Sequence, residues 1–210
     1  MKLYDAGWAP SPRRVRIFLA EKRIEVPRVA VDLRRNEQLG AEYLAINPRG
    51  TVPALVLDDG EVVTESHAIC RFLEALHPEP ALFGTRPIEV ARIEEWTRRV
   101  EESGYVAAVE AFRNGHPAFA GRALPGAAGA VPQIPALAER AQLRWTSFVA
   151  TLDERLADGE WIAGATFSFA DIMALTTIDF AARARLAIPD EAEHLRRWYD
   201  RAAARPSAQA

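Results

Sequence analysis

The pattern of the chain changes at His77-Pro78-Glu79-Pro80, and this change constrains the fold more than any other feature. Before it, short β-type runs alternate with helix-type periods, whereas beyond it only helix-type periods remain. Because closely spaced prolines stop both helices and sheet ladders, the chain is expected to divide there. We predict an α/β domain over residues 1–77, a linker over 78–87 and an all-helical domain over 88–210.

A strand, a helix and a second strand are predicted to open the first half. The runs at 2–6 and 27–32 are typical of short strands. Between them, Ser11 and Pro12 indicate a helix start, because serine is a favoured N-cap and proline is favoured at the first helical position. This order predicts a parallel βαβ unit. A weaker helical period follows over 37–45.

A hairpin and a further helix complete the first half. The β-type runs at 54–57 and 61–64 are joined through Asp59-Gly60, a dipeptide that favours a hairpin turn. A helix is predicted from Ser66 to Ala75. The resulting order, βαβ-α-ββα, is typical of a thioredoxin-like module.

Four helices are predicted in the second half, at 88–113, 136–157, 169–184 and 191–204. The segment 115–135 between the first two is rich in Gly, Ala and Pro, and a loop of that length is usually functional or disordered. The sequence therefore predicts an α/β thioredoxin-like N-terminal domain followed by an all-α C-terminal domain.

Composition argues against several classes of function. The formal net charge of −3 is unlike the basic footprint of a nucleic-acid-binding protein. The single cysteine, Cys70, permits no disulfide within the chain and no four-cysteine metal site. No run reaches the ~18 apolar residues of a membrane span, and the N-terminus lacks a signal-peptide core. We expect a cytoplasmic protein with no metal, membrane or nucleic-acid partner.

Pro53 stands at the entrance to an apolar, strand-like run, where a ladder donor would normally be needed. A cis Val52–Pro53 bond would turn the Val52 N–H and C=O out of the sheet. An extended peptide ligand could then pair with Val52 as an added strand. The alternative is a trans proline on an edge strand, with no role in binding.

Glu65 and Ser66 lie where a predicted strand ends and a predicted helix begins. A helix N-terminus offers N–H groups and a favourable dipole to a carboxylate, and Ser66 adds a hydroxyl donor. Glu65 could hold an ammonium group, so the pair could clamp an α-amino acid. Alternatively, Ser66 or Thr64 only caps the helix and Glu65 responds to its dipole. Glutathione combines both recognised parts, a γ-glutamyl amino acid and a short peptide backbone.

The chain resembles the cytosolic glutathione S-transferases. NPRGTVPAL, VVTES followed by HAI, the break and the helical half match that family over nearly the whole length. In WIAGATFSFADIMAL, Ser168 and Asp171 fit a capping box, and Phe167 with Ile172 fits a hydrophobic staple. YDAGWAPSPRRVRIFLAEK and FRNGHPAF most resemble the atypical bacterial and fungal members.

The resemblance implies that the protein lowers the thiol pKa of glutathione so that the thiolate attacks an electrophilic carbon. Most classes place a Tyr, Ser or Cys just after the first strand, but here the usual serine position holds Ala9, and Tyr4 lies within the strand. We therefore expect backbone N–H groups at the helix start to stabilise the thiolate, with Ser11 as a possible donor. Ser11 acting only as a cap is the alternative.

The resemblance also implies help from the helical half, partly through water. Asn114 and His116 lie in the corresponding region, and a histidine could hold a water near the thiolate; a loop histidine that binds nothing is the alternative. The segment that follows is expected to cover an apolar electrophile site. Arg49, Thr51 and Gln38 lie near the region where such proteins hold the glycine end of glutathione.

The leading interpretation is a homodimeric glutathione S-transferase that uses glutathione as its co-substrate. A glutathione-dependent disulfide reductase or peroxidase on the same fold is the closest rival, since glutathione itself supplies the thiol. A non-catalytic binding protein of this fold is a third reading. Cys70 is expected to be a buried structural thiol, because it lies in helical register with Leu73.

Overall fold

The computed structural model describes residues 1–126 and 129–210, which divide into two units. The first contains Met1–Pro80, the described residues of 124–130, and Ala210. The second contains Ala81–Ala123 and Val131–Gln209.

A four-stranded mixed sheet forms the centre of the first unit, with strands β1 (Lys2–Asp5), β2 (Arg28–Ala30), β3 (Ala54–Val56) and β4 (Val62–Thr64). The spatial order is β2-β1-β3-β4. β1 and β2 are parallel, whereas β3 is antiparallel to both β1 and β4. The predicted βαβ unit and hairpin are therefore both confirmed, and the fold of this unit is thioredoxin-like.

In the part of this unit that the structure describes, three α-helices accompany the sheet: α1 (Pro10–Lys22), α2 (Ala41–Leu44) and α3 (Ser66–Leu76). The single helix predicted over 37–45 is wrong, because Gly40 adopts an extended conformation between a short 3-10 turn, Glu37–Leu39, and α2. The core includes Phe18 of α1, Leu73 of α3 and Leu55 of β3, all of which are almost completely buried.

Ser11 does not cap α1, and that prediction is wrong. The helix begins two residues earlier than predicted, at Pro10 instead of Pro12, and its N-cap is Ala9. Proline is as well suited to the first helical position at residue 10 as at residue 12, because its missing N–H is not needed there. Ser11 is consequently the second residue of the helix.

Two buried ion pairs tie elements of the first unit together. Arg16 donates to Asp5 at 2.6 Å, which joins α1 to the end of β1. Lys22 pairs with Glu74 and donates to the His77 carbonyl at 2.7 Å, which joins α1 to α3. Both cations are less than a tenth exposed, so their partners supply the compensation that burial of a charge requires.

The described residues of the second unit form five α-helices: α4 (Pro87–Arg99), α5 (Val106–Gly115), α6 (Pro135–Leu156), α7 (Phe169–Ala181) and α8 (Glu193–Ala203). A π-helical turn, Val100–Tyr105, links α4 to α5. Nearly every residue of α7 is buried, which marks it as the core helix of the unit. The 115–135 segment contains a 3-10 turn, Pro117–Phe119; its residues 127 and 128 lie outside the described part of the chain.

Asp171 organises the start of α7. One carboxylate oxygen accepts from the Ser168 N–H and hydroxyl, both at 2.9 Å. The other accepts from the Ile162 N–H at 3.0 Å and the Trp198 indole at 2.8 Å. Burial raises the pKa of Asp171 above its ordinary value, while these four donors oppose that shift. The predicted helix start at Ser168 is confirmed.

Across the described residues, no helix combines the length and apolar character that crossing a membrane requires. Within 1–126 and 129–210, no three His, Cys, Asp or Glu side chains are grouped so that they could hold a metal ion.

Candidate functional site

The peptide bond between Val52 and Pro53 is cis, as predicted. Pro53 is buried and Val52 is half-buried at the entrance to β3. Among the described residues, the Val52 N–H and C=O have no hydrogen-bond partner. Val52 therefore presents one donor and one acceptor that an extended peptide could use.

The turn before Val52 is held by Asn47 and Tyr43, for which no role was predicted from the sequence. Asn47 donates to the Thr51 carbonyl at 2.7 Å and to its hydroxyl at 3.2 Å. Tyr43 donates to the same carbonyl at 2.6 Å, and burial raises the pKa of Tyr43 to about 12 despite a hydrogen bond with Asn47. Asparagine commonly bonds the backbone two residues on, and the Asn47 Oδ1 atom accepts from the Arg49 N–H at 3.1 Å. The Asn47-Pro48 dipeptide was therefore a signal for this turn.

Gln38 lies against the same turn. Its backbone carbonyl is 3.1 Å from the position that a Cβ would take on Gly50, which has a left-handed φ of +59°. The Gln38 side-chain oxygen is buried and, among the described residues, has no hydrogen-bond partner. An orphaned buried acceptor is unfavourable by about 1–3 kcal/mol, so this atom is a candidate for contact with a ligand donor.

Glu65 and Ser66 lie together at the start of α3. Glu65 is the N-cap with φ of +67°, a conformation that non-glycine residues rarely adopt and that concentrates at functional sites. The first helical bond runs from the Ile69 N–H to the Glu65 carbonyl at 2.9 Å. The N–H groups of residues 66–68 are therefore not used within the helix, as at any helix N-terminus.

Glu65 also meets a residue predicted for the other end of the ligand. Its carboxylate lies 3.2 Å from the guanidinium of Arg49. The two side chains are 60% and 72% exposed, so both remain within reach of a ligand. The fold thus brings Gln38, Arg49, Thr51, Val52, Pro53, Glu65 and Ser66 into one unit.

Arg14 connects the starts of α1 and α3. Its Nη1 atom lies 3.4 Å from the Ser66 hydroxyl and 3.4 Å from the Ser11 hydroxyl. Arg14 is only 3% exposed, and no role was predicted for it from the sequence. A hydroxyl that accepts from Arg14 keeps its own proton for a second partner. The spacing of four from the buried Phe18 was the one signal that Arg14 faces inward.

The start of α1 offers fewer backbone donors than expected. Pro10 and Pro12 have no N–H, and the Arg13 N–H donates to the Ala9 carbonyl at 3.3 Å. Of the first three residues of the helix, only Ser11 therefore has a backbone N–H. The several N–H groups expected at this terminus are therefore reduced to the backbone N–H of Ser11, beside which the Ser11 hydroxyl is a second donor.

Asn114 and His116 occupy the end of α5 in the second unit. The Asn114 amide donates to the Glu110 carbonyl at 3.0 Å and accepts from the Ile134 N–H at 3.0 Å, so it joins α5 to the start of α6. The His116 Nδ1 atom accepts from the Ala118 N–H at 3.2 Å. In the neutral imidazole, the proton consequently lies on Nε2. His116 is exposed, and its ring lies against Phe112.

Two family descriptions match the chain. The N-terminal domain of glutathione S-transferases matches residues 8–76, and the C-terminal domain matches residues 130–206. Glutathione S-transferase 2 of Saccharomyces cerevisiae is 34% identical over 209 residues, which cover 99% of this chain and 87% of the relative. The chain belongs to the glutathione S-transferase family. The family and the enzyme class expected from the sequence are thereby confirmed.

Solved glutathione transferases share the fold over their full length. Gtt2 from Saccharomyces cerevisiae has a TM-score of 0.91 at 34% identity, covering 100% of this chain and 99% of that one. A glutathione S-transferase domain-containing protein from Marinobacter aquaeolei has a TM-score of 0.89 at 38% identity, covering 99% of both chains. These matches confirm the predicted thioredoxin-like and all-helical architecture of this transferase.

Proposed function

We propose that this transferase joins the sulfur of glutathione to a small, mostly apolar electrophile. The observation that carries the proposal is the register of β3 and β4: Ala54 pairs with Thr64, so Val52 lies just before β3 on the side where Glu65 and Ser66 follow β4. Among the described residues, the Val52 N–H and C=O have no hydrogen-bond partner. Residues 1–77 then form the glutathione-binding domain, residues 78–87 the linker and residues 88–210 the domain that receives the electrophile.

Each part of glutathione has a matching group in the first unit. The cysteinyl residue pairs with the Val52 N–H and C=O, beside the buried ring of Pro53. The α-carboxylate of the γ-glutamyl residue takes the Ser66 hydroxyl and the N–H groups of the α3 start. The ammonium group lies on Glu65. The glycine end lies toward Arg49, Thr51 and Gln38.

Thiolate formation falls to the start of α1. The thiol proton leaves to solvent, and the Ser11 N–H and hydroxyl donate to the resulting anion, which lowers the thiol pKa. Arg14 holds both Ser11 and Ser66 by their hydroxyl oxygens, so that both protons point away from it. The thiolate then forms a carbon–sulfur bond, and the leaving group of the electrophile departs with its electron pair.

His116 supplies a further donor. Because its Nδ1 accepts from the Ala118 N–H, the Nε2–H can donate to a bound water. Asn114 supports this residue by joining the end of α5 to Ile134.

We further propose a cytoplasmic homodimer with no nucleic-acid, membrane or metal partner. Cys70 is fully buried, and burial raises its pKa well above the ordinary value, so the protein itself offers no reactive thiol. The molar mass in solution, from light scattering, tests the dimer: a mass near twice 23.2 kDa supports it, and a monomeric mass contradicts it.

Parallel assays test the activity. We expect glutathione-dependent turnover of 1-chloro-2,4-dinitrobenzene, a chlorinated aromatic electrophile. Turnover of hydroxyethyl disulfide alone would replace the transferase assignment with the disulfide reductase. Binding of glutathione without turnover of either would support the non-catalytic reading.

A further inference from the structure

Gly126 contacts the turn that leads into the candidate glutathione site. A Cβ built on Gly126 would lie 2.3 Å from the Arg49 carbonyl oxygen and 3.4 Å from the Thr51 Cγ2. The first of these distances is far shorter than van der Waals contact allows. Gly126 also has φ of +68°. A side chain at this position is therefore disfavoured both by the clash and by the left-handed backbone conformation.

The contact joins segments that are far apart in sequence. Gly126 lies between α5 and α6 along the chain, yet it belongs to the first unit, together with the turn at residues 49–51. Only a residue without a side chain lets the backbone at 126 approach the Arg49 carbonyl this closely.

The contacted turn is the one assigned to the glycine end of glutathione. Arg49 forms the ion pair with Glu65 across the site, and Thr51 precedes Val52 directly. Gln38, whose buried side-chain oxygen has no hydrogen-bond partner among the described residues, lies against Gly50 of the same turn. The atom that Gly126 approaches is the Arg49 carbonyl. Moving this carbonyl would shift the backbone of the turn and the space around the glycine end, whereas the long, 72% exposed Arg49 side chain can keep its ion pair with Glu65.

We propose that Gly126 is a specificity-determining position that closes one side of the glycyl subsite. Its close approach fixes the Arg49–Thr51 turn and so limits what can follow the cysteinyl residue of the thiol substrate. This inference rests on the proposed use of glutathione. It assigns a role to the segment between α5 and α6 that is separate from covering the electrophile.

Substitution of Gly126 has a matched control in Gly121. Gly121 also has a left-handed φ, +72°, but a Cβ there would meet nothing within 4 Å. Gly126→Ala and Gly121→Ala therefore share the backbone penalty and differ in the clash with Arg49. We expect Gly126→Ala to raise the KM for glutathione about tenfold, and Gly121→Ala to leave it within about twofold.

A shortened thiol shows where the effect acts. For γ-glutamylcysteine, which lacks the glycine, we expect wild type and Gly126→Ala to have the same KM. Equal KM values of the two alanine variants for glutathione would overturn the inference. A KM raised by the same factor for both thiols would overturn it as well, because the disturbance would not be confined to the glycyl subsite.

The glycyl subsite can also be tested in the wild type by changing the thiol substrate, so that no substitution can alter the fold. γ-Glutamylcysteinyl-β-alanine lengthens the glycine end by one methylene, and a closed subsite should raise its KM about tenfold above that of glutathione. Equal KM values would overturn the proposal. If the wild type binds no glutathione in calorimetry, the proposed function itself fails; if it binds but tolerates Gly126→Ala, only this inference fails.

Discussion

The Nη1 atom of Arg14 lies 3.4 Å from the hydroxyl oxygen of Ser66. The same nitrogen lies 3.4 Å from the Ser11 hydroxyl, so one buried guanidinium spans the two helix starts that form the site. In the proposed complex, Ser66 meets the γ-glutamyl carboxylate and Ser11 meets the sulfur. Arg14 is therefore a positioning residue for both ends of the bound γ-glutamylcysteine portion.

Replacing Arg14 with methionine should raise the pKa of the bound thiol. Methionine keeps much of the volume but neither the charge nor the two hydrogen bonds, and an adjacent charge of this kind shifts a pKa by about 1–3 units. Thiolate absorbance of the glutathione complex against pH measures the shift, and the pH profile of kcat should move to higher pH with it. An unchanged thiol pKa in a folded variant would show that Arg14 serves packing alone.

Ser11→Ala removes the hydroxyl of Ser11 and keeps its backbone N–H, so it tests the contribution of the hydroxyl alone. Since the hydroxyl does not cap α1, its loss should leave the helix intact while raising the bound thiol pKa by about one unit. Thermal unfolding and the same absorbance titration provide the two measurements. Ser103→Ala, at an exposed position of the second unit, is the control. A thiol pKa equal to that of the control would remove the hydroxyl from the mechanism.

Asp171→Asn should destabilise the second unit without changing glutathione affinity. The carboxylate accepts four hydrogen bonds, and an amide nitrogen in place of one oxygen would face donors that it cannot satisfy. We expect a loss of about 2–3 kcal/mol in the free energy of unfolding, measured with urea. Asp158→Asn, at an exposed position, should change it little. Equal stability of the two variants would contradict the role assigned to Asp171.

Glu89 should make the free energy of unfolding decrease as the pH falls into the acid range. Its carboxylate accepts from the Arg86 and Thr85 N–H groups, both at 3.2 Å, and these bonds lower its pKa from 4.5 to about 2. The stabilisation is fully present above the unfolded pKa of about 4.5 and is lost as pH falls toward 2. Glu89→Gln should therefore lose less stability than wild type over this interval, as measured by unfolding at each pH. If the free energy of unfolding fell equally with pH in the wild type and in Glu89→Gln, Glu89 would not be the source of this pH dependence.

Local sequence chemistry was sufficient to predict most of the architecture. The Asp59-Gly60 turn, the start of α3 at Ser66 and the box at Ser168 each lie where residue type and spacing placed them. The error at Ser11 has a clear physical cause. Ala9-Pro10 and Ser11-Pro12 are both possible starts for α1. Serine is the better N-cap residue, so Ser11 was predicted as the N-cap, whereas the helix begins after Ala9.

The contacts that complete the candidate site depend on tertiary structure. Arg14 is one of three arginines at positions 13–16, and a helical period does not reveal that one of these cations will meet two hydroxyls from different elements. The approach of Gly126 to Arg49 joins residues with no local relation, so no pattern near either one could indicate it. The sequence shows a glycine at position 126, but it does not show that the backbone there lies against Arg49.

Calorimetric titration of glutathione into the wild type, Glu65→Ala and Ser66→Ala tests the central claim most directly. The account predicts binding to the wild type at millimolar or lower concentration. It also predicts about tenfold weaker binding, or more, to each variant, since hydrogen bonds to charged groups contribute about 1.5–3 kcal/mol. Unfolding temperatures should stay close to wild type. No binding to the wild type, or equal affinity in all three proteins, would contradict the account.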